Sequence, residues 1–546
     1  MLRILFTFIS LGTVLLAQVV FTSSNLPIVK INTNGQTIVN EPKIKAYMEI
    51  IYNGEGVRNL ISDPANDYSG YIGIEIRGST SQSFPKKQYA VELWDSLSND
   101  IEASLLGFPK EEDWILFGPY NDKSLLRDVM AYKFAGIMGR YASRQRYCEV
   151  VINGEYKGIY ILFEKIKRDK NRVNITKLDP DDIAGDDVTG GYVFKIDKTD
   201  GADTQGWYSD FLPVPWRPEN KTYYQYHHPK YEDLAIEQKN YLKNHIKKFE
   251  TVMTSSAYTH PDSGYTKYLD VQSFIDLSLV NEITKNPDAY RLSFFMSKER
   301  DSKGGKIAAG PVWDYNLSAA NCNYFPLNDT KGWMYPYTTD TLRYKQDEWF
   351  FAPFWWAKLF SHNDFMEQYK NRYIQLRTTV LTDQFVTSKM DSLYALLSES
   401  RIRNFSRWPV LGEYVWPNYY IGNTYNEEYI FLRKWYLDRL AWMDSQFLPS
   451  AIEQENISPA SFELKQNFPN PFNPTTEIGF AVPSEANVTL SVVNVLGEQV
   501  ALLHSGYMTA GNYSFTFDAT NLNSGIYFYT LRAGELVLTK KMNLLK

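Results

Sequence analysis

Two aspartates in the second half of the chain have the chemistry and the setting that phosphoryl transfer requires. Asp288 lies in KNPDAYRLSFF, after a predicted helix and before a predicted strand, and Asp314 lies in GPVWDYNLSAAN, directly after a predicted strand. Carboxylates at the ends of neighbouring strands can converge on one point, where one accepts a hydroxyl proton and the other holds a metal ion on phosphates. The alternative is that both aspartates cap turns, and spacing alone leaves both interpretations open.

A Gly/Ser-rich loop in the first half is a candidate for binding phosphate. The segment RGSTSQSFPKKQYAVEL, residues 77–93, predicts a strand that ends at Arg77, a loop, and a strand that begins near Lys87. Backbone N–H groups of such a loop can cradle phosphate, and a lysine on the strand can pair with it as a point charge. Composition alone favours a solvated hairpin loop, because short Gly/Ser loops are common between strands.

Two further segments carry charged residues with a weaker signal. The predicted helix SLLRDVMAYKFAGIMG contains Arg127, Asp128 and Lys133. An acid on such a helix could orient a strand lysine, as an ion pair does in kinases, although a solvated amphipathic face is the simpler interpretation. Glu164 closes the apolar strand IYILF, and ligands are often held where strands end.

The elements that must position these residues change in character along the chain. Short runs rich in β-branched and aromatic residues predict strands, and a 3.6-residue apolar period predicts helices. The predicted strands of the first half are 27–33, 45–52, 71–77, 88–94 and 148–152, with a hairpin at Asn153-Gly154 and one helix over 124–139 capped by Ser124. The predicted helices of the second half are 236–253, 271–285, 351–381, 388–398 and 426–448, with a strand pair at 292–297 and 306–312. This order predicts an α+β domain with two lobes, over residues 25–450.

The end of the chain has a different composition. Residues 451–461 are polar and contain proline, which predicts a linker. Residues 462–546 then predict a small all-β sandwich, because short strands alternate with turn glycines. The predicted strands are 476–481, 486–494, 511–518, 525–532 and 535–539.

The N-terminus predicts a signal peptide over residues 1–17. Arg3 supplies a basic start, a largely apolar run follows from Ile4 to Leu16, and Ala17 offers a small residue for cleavage. This run is too short for a comfortable membrane span. We therefore expect an exported protein without a transmembrane segment, with a buried N-terminal helix as the alternative.

Composition excludes several classes of protein. Among 546 residues, hydrophobic types make up 44% and charged types 22%, which is typical of globular chains and not of disordered or collagen-like ones. A net charge of −6 argues against nucleic acid as the main partner. Two cysteines, Cys148 and Cys322, cannot build a disulfide framework. Aromatic residues reach 15%, and their helical spacing after residue 350 indicates a packed core.

Six motifs, in chain order, resemble the CotH kinase family of spore-coat protein H-like proteins. They are RGSTSQSFPKKQY, SLLRDVMAYKFA, YKGIYILFEKI, GGYVFKIDK, DAYRLSFFMSK and GPVWDYNLS. The resemblance covers about residues 40–445. It implies an atypical, two-lobed protein kinase that binds ATP with Mg²⁺ (or Mn²⁺) and phosphorylates Ser or Thr of a secreted or surface protein.

The same resemblance implies roles for individual residues. Asp288 matches the catalytic base, and Asp314 matches the metal-binding aspartate. The residues that it assigns to nucleotide binding are Lys87, with Lys86 as the alternative lysine, Arg77 and Glu164.

Two positions depart from the family pattern. Asn316 stands where many members carry a second acid, and Ser293 stands where many carry an asparagine that binds a second metal ion. Both side chains can bind a metal ion through oxygen, more weakly than a carboxylate does. The implied metal site is therefore Asp314 with Ser293 and Asn316.

The tail resembles the C-terminal sorting domain of type IX (Por) secretion. The segments that carry this resemblance are QNFPNPFNPTTEIGFAVP, VVNVLGEQV, AGNYSFTFDATNLNSGIYFYTL and the terminal TKKMNLLK. It implies an immunoglobulin-like sandwich that the export machinery recognises, and a protein that reaches the cell surface or the extracellular space through the periplasm.

Export also favours a competing hypothesis, because nucleotide is scarce outside the inner membrane. The chain could be a catalytically inactive kinase-fold protein for adhesion or for binding cell wall or glycan, with the aromatic segment 403–420 as its contact surface. A hydrolase that uses Asp288 and Asp314 as paired carboxylates is a third interpretation, which the family resemblance disfavours.

Overall fold

A computed structural model describes residues 19–199, 205–214, 220–324, 327–339, 350–448 and 461–545. The chain divides into two compact units, with the boundary between Asp444 and Ser445. The predicted signal peptide and residues 451–460 of the predicted linker lie outside the described residues.

The first unit begins with a seven-stranded sheet that closes on itself in the order β2-β3-β5-β6-β7-β9-β8. Its neighbours pair antiparallel, except β2 with β8, which pair parallel. The strands of this region, including the small pair β1–β4, are β1 (Ser23–Ser24), β2 (Ile28–Asn32), β3 (Ile44–Ile51), β4 (Asn59–Leu60), β5 (Tyr68–Arg77), β6 (Gln88–Trp94), β7 (Asp113–Phe117), β8 (Gln145–Ile152) and β9 (Glu155–Glu164). The closed sheet encloses one core of alternating apolar residues, such as Ile72, Ile74, Val91 and Leu93.

Two local expectations for this sheet meet different outcomes. The predicted hairpin at Asn153-Gly154 is confirmed, with φ of 52° and 78° as a two-residue turn between twisted strands requires. The predicted cap at Ser124 is wrong. Helix α1 (Arg127–Ile137) begins three residues later, and the Asp122 carboxylate accepts from the Arg127 N–H at 2.9 Å.

A second, five-stranded sheet follows, in the order β11-β12-β10-β13-β14 with antiparallel neighbours. The strands are β10 (Tyr192–Ile196), β11 (Gly206–Tyr208), β12 (Tyr223–His228), β13 (Phe294–Lys298) and β14 (Ile307–Ala309). Helices α2 (Ile236–Thr254) and α3 (Val271–Thr284) lie between β12 and β13 in the chain, which confirms the two predicted helices.

The rest of the first unit is helical. The helices are α4 (Tyr335–Thr339), α5 (Phe354–Ser361), α6 (Asn363–Arg377), α7 (Asp383–Leu396), α8 (Ser400–Arg407) and α9 (Tyr425–Phe447). The single helix predicted over 351–381 is wrong, because the chain turns at His362, which ends α5 and precedes α6. The expected aromatic core is confirmed, since Trp355 and Trp356 are fully buried against Phe274 and Phe294.

The second unit is all-β. Its strands are β15 (Glu463–Leu464), β16 (Thr475–Val482), β17 (Ala486–Asn494), β18 (Gln499–Met508), β19 (Gly511–Asp518), β20 (Gly525–Ala533) and β21 (Leu536–Leu544). They form a three-stranded sheet, β15-β16-β19, and a four-stranded sheet, β18-β17-β20-β21, which share one apolar core. A mixed α+β unit followed by an all-β region is therefore confirmed.

Two smaller features complete the fold. Within the described ranges, no helix is long and apolar enough to cross a membrane. Cys148 and Cys322 are both buried and free, so each side chain packs as a small apolar group.

A buried acid joins α2 to the edge of the second sheet. The Glu250 carboxyl group accepts from the Ser209 hydroxyl at 2.8 Å and from the Tyr224 hydroxyl at 2.9 Å. Burial raises the pKa of Glu250 from 4.5 to about 7, although the two hydrogen bonds oppose the shift. The folded state therefore binds the Glu250 proton more tightly than the unfolded chain does.

This shift makes the stability of the first unit depend on pH. The contribution of protonated Glu250 is fully present below about pH 4.5 and is lost as the pH rises through about 7. We expect Glu250→Gln to raise the melting temperature relative to wild type more at pH 8 than at pH 5, by about 1–3 °C for a unit of this size. Circular dichroism melts at both pH values measure it, with the exposed Glu237→Gln on α2 as control. An equal difference at both pH values would contradict this account.

Candidate active site

Three neighbouring strands of the second sheet carry the acidic residues of the site to one edge. Ile196 at the end of β10 pairs with Phe294 at the start of β13, and the N–H of Gly310, just after β14, donates to the Phe295 carbonyl at 2.8 Å. Because these strands are antiparallel neighbours, the segments that follow β10, precede β13 and follow β14 leave the sheet on the same side. Asp197, Asp288 and Asp314 lie on those three segments.

These aspartates line a cavity of about 390 Å³ between the two sheets of the first unit. That volume lies in the range of small-molecule sites. The closed sheet contributes the ends of β5, β6, β7 and β9 and the loop after β5. Its wall includes Arg77, Gly78, Ser81, Gln82, Ala90, Ile115, Asp128, Phe163, Lys165, Ile166, Lys195, Asp197, Lys198, His227, Asp288, Ser293, Phe295, Trp313, Asp314, Asn316 and Trp416.

Negative charge is concentrated at the sheet edge. Asp314 is exposed to the cavity, although many protein atoms surround its carboxyl group and reduce its solvation. The pKa of Asp314 is raised to about 6 by this burial and by the like charges of Asp288 and Asp197, against the attraction of Arg77 and Lys198. A divalent cation would relieve this repulsion, and carboxylate, hydroxyl and amide oxygens are the donors that Mg²⁺ prefers. Asp314, Ser293 and Asn316 therefore fit the metal ion that the sequence implies.

The backbone around these groups is in an unusual conformation. Asp314 has φ of 61°, Ser293 has φ of 48° and Tyr290 has φ of 71°, all in the left-handed region that side chains other than glycine rarely adopt. Such strain persists only where the surroundings enforce it, and it is concentrated at functional sites.

Asp314 is held by contacts to its neighbour Tyr315. The Tyr315 N–H donates to Asp128 Oδ1 at 2.8 Å, and the Tyr315 hydroxyl donates to Asn281 Oδ1 at 2.6 Å. Asp128 on α1 therefore supports the segment that carries Asp314, whereas the sequence predicted that it could orient a lysine. Burial and the nearby charge of Asp314 raise the pKa of Asp128 well above its usual range.

The turn that carries Asp288 is held by hydrogen bonds and by a fully buried ion pair. The Asp288 N–H donates to Asn286 Oδ1 at 3.2 Å, and the hydroxyl of nearby Tyr290 donates to Glu282 Oε1 at 2.9 Å. Glu282 in turn pairs with Arg439 of α9 at 3.2 Å, and neither side chain is exposed to solvent. This ion pair anchors the turn between α3 and β13 to the helical layer.

Four basic side chains also line the cavity. Lys195 pairs with Asp197 Oδ2 at 3.1 Å, and Lys165 pairs with Asp113 Oδ1 at 3.1 Å. The Arg77 guanidinium lies 5.5 Å from the centre of the Trp313 ring, and Lys198 completes the set. Arginine and lysine side chains near carboxylates that could coordinate a cation can pair with phosphate groups.

The Gly/Ser-rich loop forms part of the cavity wall. Gly78 has φ of 101°, and a Cβ atom there would lie 2.1 Å from Ser81 Oγ, so only glycine fits this position. Lys87 does not line the cavity. Its amine donates to the Gln82 carbonyl at 2.7 Å, and Gln82 donates from its side chain to the Gly78 carbonyl at 2.5 Å. Lys87 therefore supports the shape of the loop.

Lys86 and Glu164 also lie outside the cavity. The buried Lys86 amine donates to the Ile159 carbonyl at 2.6 Å and to Asn404 Oδ1 at 2.9 Å, and burial lowers its pKa to about 7. The Glu164 carboxylate pairs with Arg144 at 2.7 Å. Of the residues predicted to bind nucleotide, the structure brings only Arg77 to the cavity, together with the four predicted residues of the acidic edge.

Sequence reasoning did not single out Lys165, Lys195, Asp197 or Lys198 as site residues. The last three belong to GGYVFKIDK, where a buried strand ends in charged residues, as it does before Asp314. The signal was therefore present but is weak, because a charged residue after a strand is more often solvated.

The remaining wall of the cavity is apolar and aromatic. Trp313 contacts Phe163 and Phe295 with ring centres 6.2 and 6.4 Å apart, and Ala90 and Ile115 lie on the closed sheet. These side chains form a surface on which a planar ring can pack.

A histidine closes part of this wall. Burial and the nearby Lys195 charge lower the pKa of His227 to about 3, so its ring is neutral. The Nε2–H group of this ring donates to the Ile166 carbonyl at 2.7 Å.

A second acidic group in the described residues, Glu111, Glu112 and Asp113, is already neutralised. Their carboxylate oxygens lie within 4.8 Å of one another, and the Lys167 amine contacts all three at 2.6 to 3.2 Å. Because the Lys167 amine occupies the position that a metal ion would take, this group is not a candidate metal site.

Two family models match the chain. Residues 74–443 match the model described as CotH kinase protein, and residues 466–544 match the model described as secretion system C-terminal sorting domain. Both resemblances expected from the motifs are thereby confirmed. The second match indicates export through a type IX secretion system to the cell surface or the extracellular space. Comparison with the curated proteins gives no match.

The support that Asp128 gives to the Asp314 segment can be tested by two substitutions. Asp128→Asn keeps a neutral oxygen that accepts from the Tyr315 N–H, so we expect a change in unfolding free energy below about 1 kcal/mol. Asp128→Ala leaves that N–H without its acceptor, at a cost of about 1–3 kcal/mol. Urea unfolding of both variants measures the difference. Equal losses would show that the hydrogen bond is not what Asp128 contributes.

Proposed function

Because the chain belongs to the CotH kinase protein family, we propose that it is an exported atypical kinase that transfers the γ-phosphate of ATP to Ser or Thr of a secreted or surface protein. One observation supports this most strongly. A single cavity is lined by three carboxylates from one sheet edge, four basic side chains, a Gly/Ser-rich loop and an aromatic surface. Phosphoryl transfer depends mainly on positioning and electrostatics, so these groups suffice for it.

Asp314 is the proposed metal ligand, with the Ser293 hydroxyl and the Asn316 amide as weaker oxygen donors. A bound Mg²⁺ or Mn²⁺ ion would neutralise the phosphates and orient them. Arg77, Lys165, Lys195 and Lys198 line the same cavity, and their charges would balance the remaining negative charge of the triphosphate.

Asp288 is the proposed base. It would accept the proton of the acceptor hydroxyl while that oxygen forms a bond to the γ-phosphorus. The bond between the γ-phosphorus and the bridging oxygen breaks, and ADP leaves with the electron pair. The Arg291 guanidinium, 3.7 Å from the Asp288 carboxylate, would stabilise its charge before the transfer.

The architecture supports an interpretation of the first unit as two lobes. The closed sheet with the Gly/Ser-rich loop would form the first lobe, and the five-stranded sheet with helices α2 to α9 would form the second. Lys165 and Ile166, directly after β9, line the cavity where the chain passes from one sheet to the other. The planar base would lie in the aromatic part of the cavity, between Ala90 and Trp313.

The second unit is proposed to serve export alone. Its two sheets around one core are compatible with an immunoglobulin-like sandwich. We assign the interaction with the type IX secretion machinery to residues 462–546, and the signal peptide 1–17 to transport across the inner membrane. The proposed kinase domain spans 25–450, with 451–461 as the linker.

A second candidate function rests on the segment between α8 and α9. Tyr414, Trp416 and Tyr419 are about half exposed there, and Trp416 also lines the cavity. In a catalytically inactive protein these rings would contact a cell-surface glycan or protein, and Ser293 and Asn316 would then mark the loss of metal binding. In the kinase, Trp416 would contact the acceptor polypeptide.

Substitution of Asp288 or Asp314 tests the proposed kinase activity. We expect Asp288→Asn and Asp314→Asn each to lower the transfer of labelled γ-phosphate by at least about 10³-fold, because the proposed base or metal ligand is lost. The full-length chain is incubated with labelled ATP and a mixture of exported proteins, and scintillation counting measures the phosphate that is transferred to them. Thermal melts confirm that each variant is folded. Wild-type transfer by either variant would refute the assigned role. A wild type that neither transfers phosphate nor binds ATP with Mg²⁺ would favour the adhesion protein.

Two lysines provide a matched test of which cation binds the nucleotide. Lys195→Met removes a charge from the cavity, so we expect the dissociation constant for ATP to rise by about tenfold. Lys86→Met removes a buried amine and its hydrogen bonds, so the melting temperature changes while the affinity of the folded protein for ATP stays within about twofold. Isothermal titration calorimetry and thermal melts measure both quantities. The reverse pattern would restore Lys86 to nucleotide binding and exclude Lys195.

A further inference from the structure

We propose that Asp197 is a further metal-binding residue and supplies the second carboxylate of the site, at which Asn316 replaces the expected acid. This inference rests on the proposed function. It adds a third sheet segment to the two that carry Asp288 and Asp314.

The register of the sheet brings Asp197 beside the proposed metal site. Ile196 pairs with Phe294, so the next residue of the chain lies beside Ser293. The Ser293 N–H donates to Asp197 Oδ1 at 3.3 Å, which joins Asp197 directly to the turn that carries Asp288. The Asp197 side chain is 23% exposed, and the residue lines the cavity. Its carboxylate is therefore open to a ligand.

The hydrogen bonds of Asp197 leave capacity for a cation. An ionised carboxylate has about four acceptor positions. In the described structure, Oδ1 accepts from the N–H groups of Ser293 and Lys198, and Oδ2 pairs with the Lys195 amine at 3.1 Å. The two N–H groups fix the orientation of the carboxylate. Lys195 carries its charge on a flexible four-carbon side chain, so in the proposed complex its amine would move from Asp197 to a phosphate when a metal ion binds.

The two departures from the family pattern give this carboxylate a purpose. Ser293 and Asn316 leave Asp314 as the only carboxylate in the expected metal set, and charge count strongly affects the affinity for divalent cations. Asp197 restores one negative charge at the same edge. Its bond to the Ser293 N–H also helps to hold that residue at φ of 48°.

Metal binding without nucleotide tests the inference on the full-length chain. We expect Asp197→Asn to weaken Mn²⁺ binding by about tenfold or more, as measured by electron paramagnetic resonance of free Mn²⁺. The amide oxygen of Asn still accepts from the Ser293 N–H, so the turn keeps its support. Asp314→Asn should also weaken binding. The matched control is Asp181→Asn at an exposed position, with an affinity within about twofold of wild type.

A second variant keeps the test decisive if Asp197→Asn is unstable. Lys195→Met frees the Asp197 carboxylate from its competing cation, so we expect Mn²⁺ affinity to rise by up to about fivefold, although ATP affinity falls. Unchanged or weaker Mn²⁺ binding by this variant would overturn the inference. The inference would also be overturned if Asp197→Asn bound Mn²⁺ with wild-type affinity while Asp314→Asn bound it more weakly. The proposed kinase function would remain intact in that case. A wild type that binds no Mn²⁺ would overturn both.

Discussion

The central constraint in this protein is the crowding of like charges at one edge of the five-stranded sheet. Asp197, Asp288 and Asp314 come from three neighbouring strands, and antiparallel pairing leaves them no other side on which to emerge. Their mutual repulsion is costly in a partly desolvated cavity. Nearby cations balance it in part, since Lys195 pairs with Asp197 at 3.1 Å and Arg77 and Lys198 attract Asp314, yet the pKa of Asp314 is still raised to about 6.

Helices packed behind this edge of the five-stranded sheet hold the segments that carry Asp288 and Asp314 in place. Asp128 on α1 and Asn281 on α3 fix the two ends of Tyr315, and the fully buried pair of Glu282 and Arg439 holds Tyr290. The first two supports hold the residue that follows Asp314, and the third holds Tyr290, which has φ of 71° and lies two residues after Asp288. A buried ion pair contributes little net stability but is costly to break, so this one is better suited to fixing a geometry than to stabilising the fold.

Sequence patterns predicted what depends on nearby residues, and missed what depends on distant partners. Strand β6 was predicted at its observed bounds, because apolar and polar residues alternate along it. Strand β7 was missed because DWILF is buried throughout and has no alternation. Asp288 and Asp314 could be paired in advance since both flank strands. The position of Lys86 could not be predicted, because its partner Asn404 lies 318 residues away, on the short polar helix α8, which was not predicted.

The most direct test of this account is a crystal structure of the full-length protein with Mn²⁺ and a non-hydrolysable ATP analogue. An anomalous difference peak locates the ion without reference to the proposed roles. The account predicts a peak about 2.0–2.4 Å from an Asp314 oxygen, with the phosphates between the ion and the basic side chains of the cavity and the adenine ring against Trp313. A nucleotide bound outside this cavity, or an ion held away from Asp314 when nucleotide is bound, would contradict it.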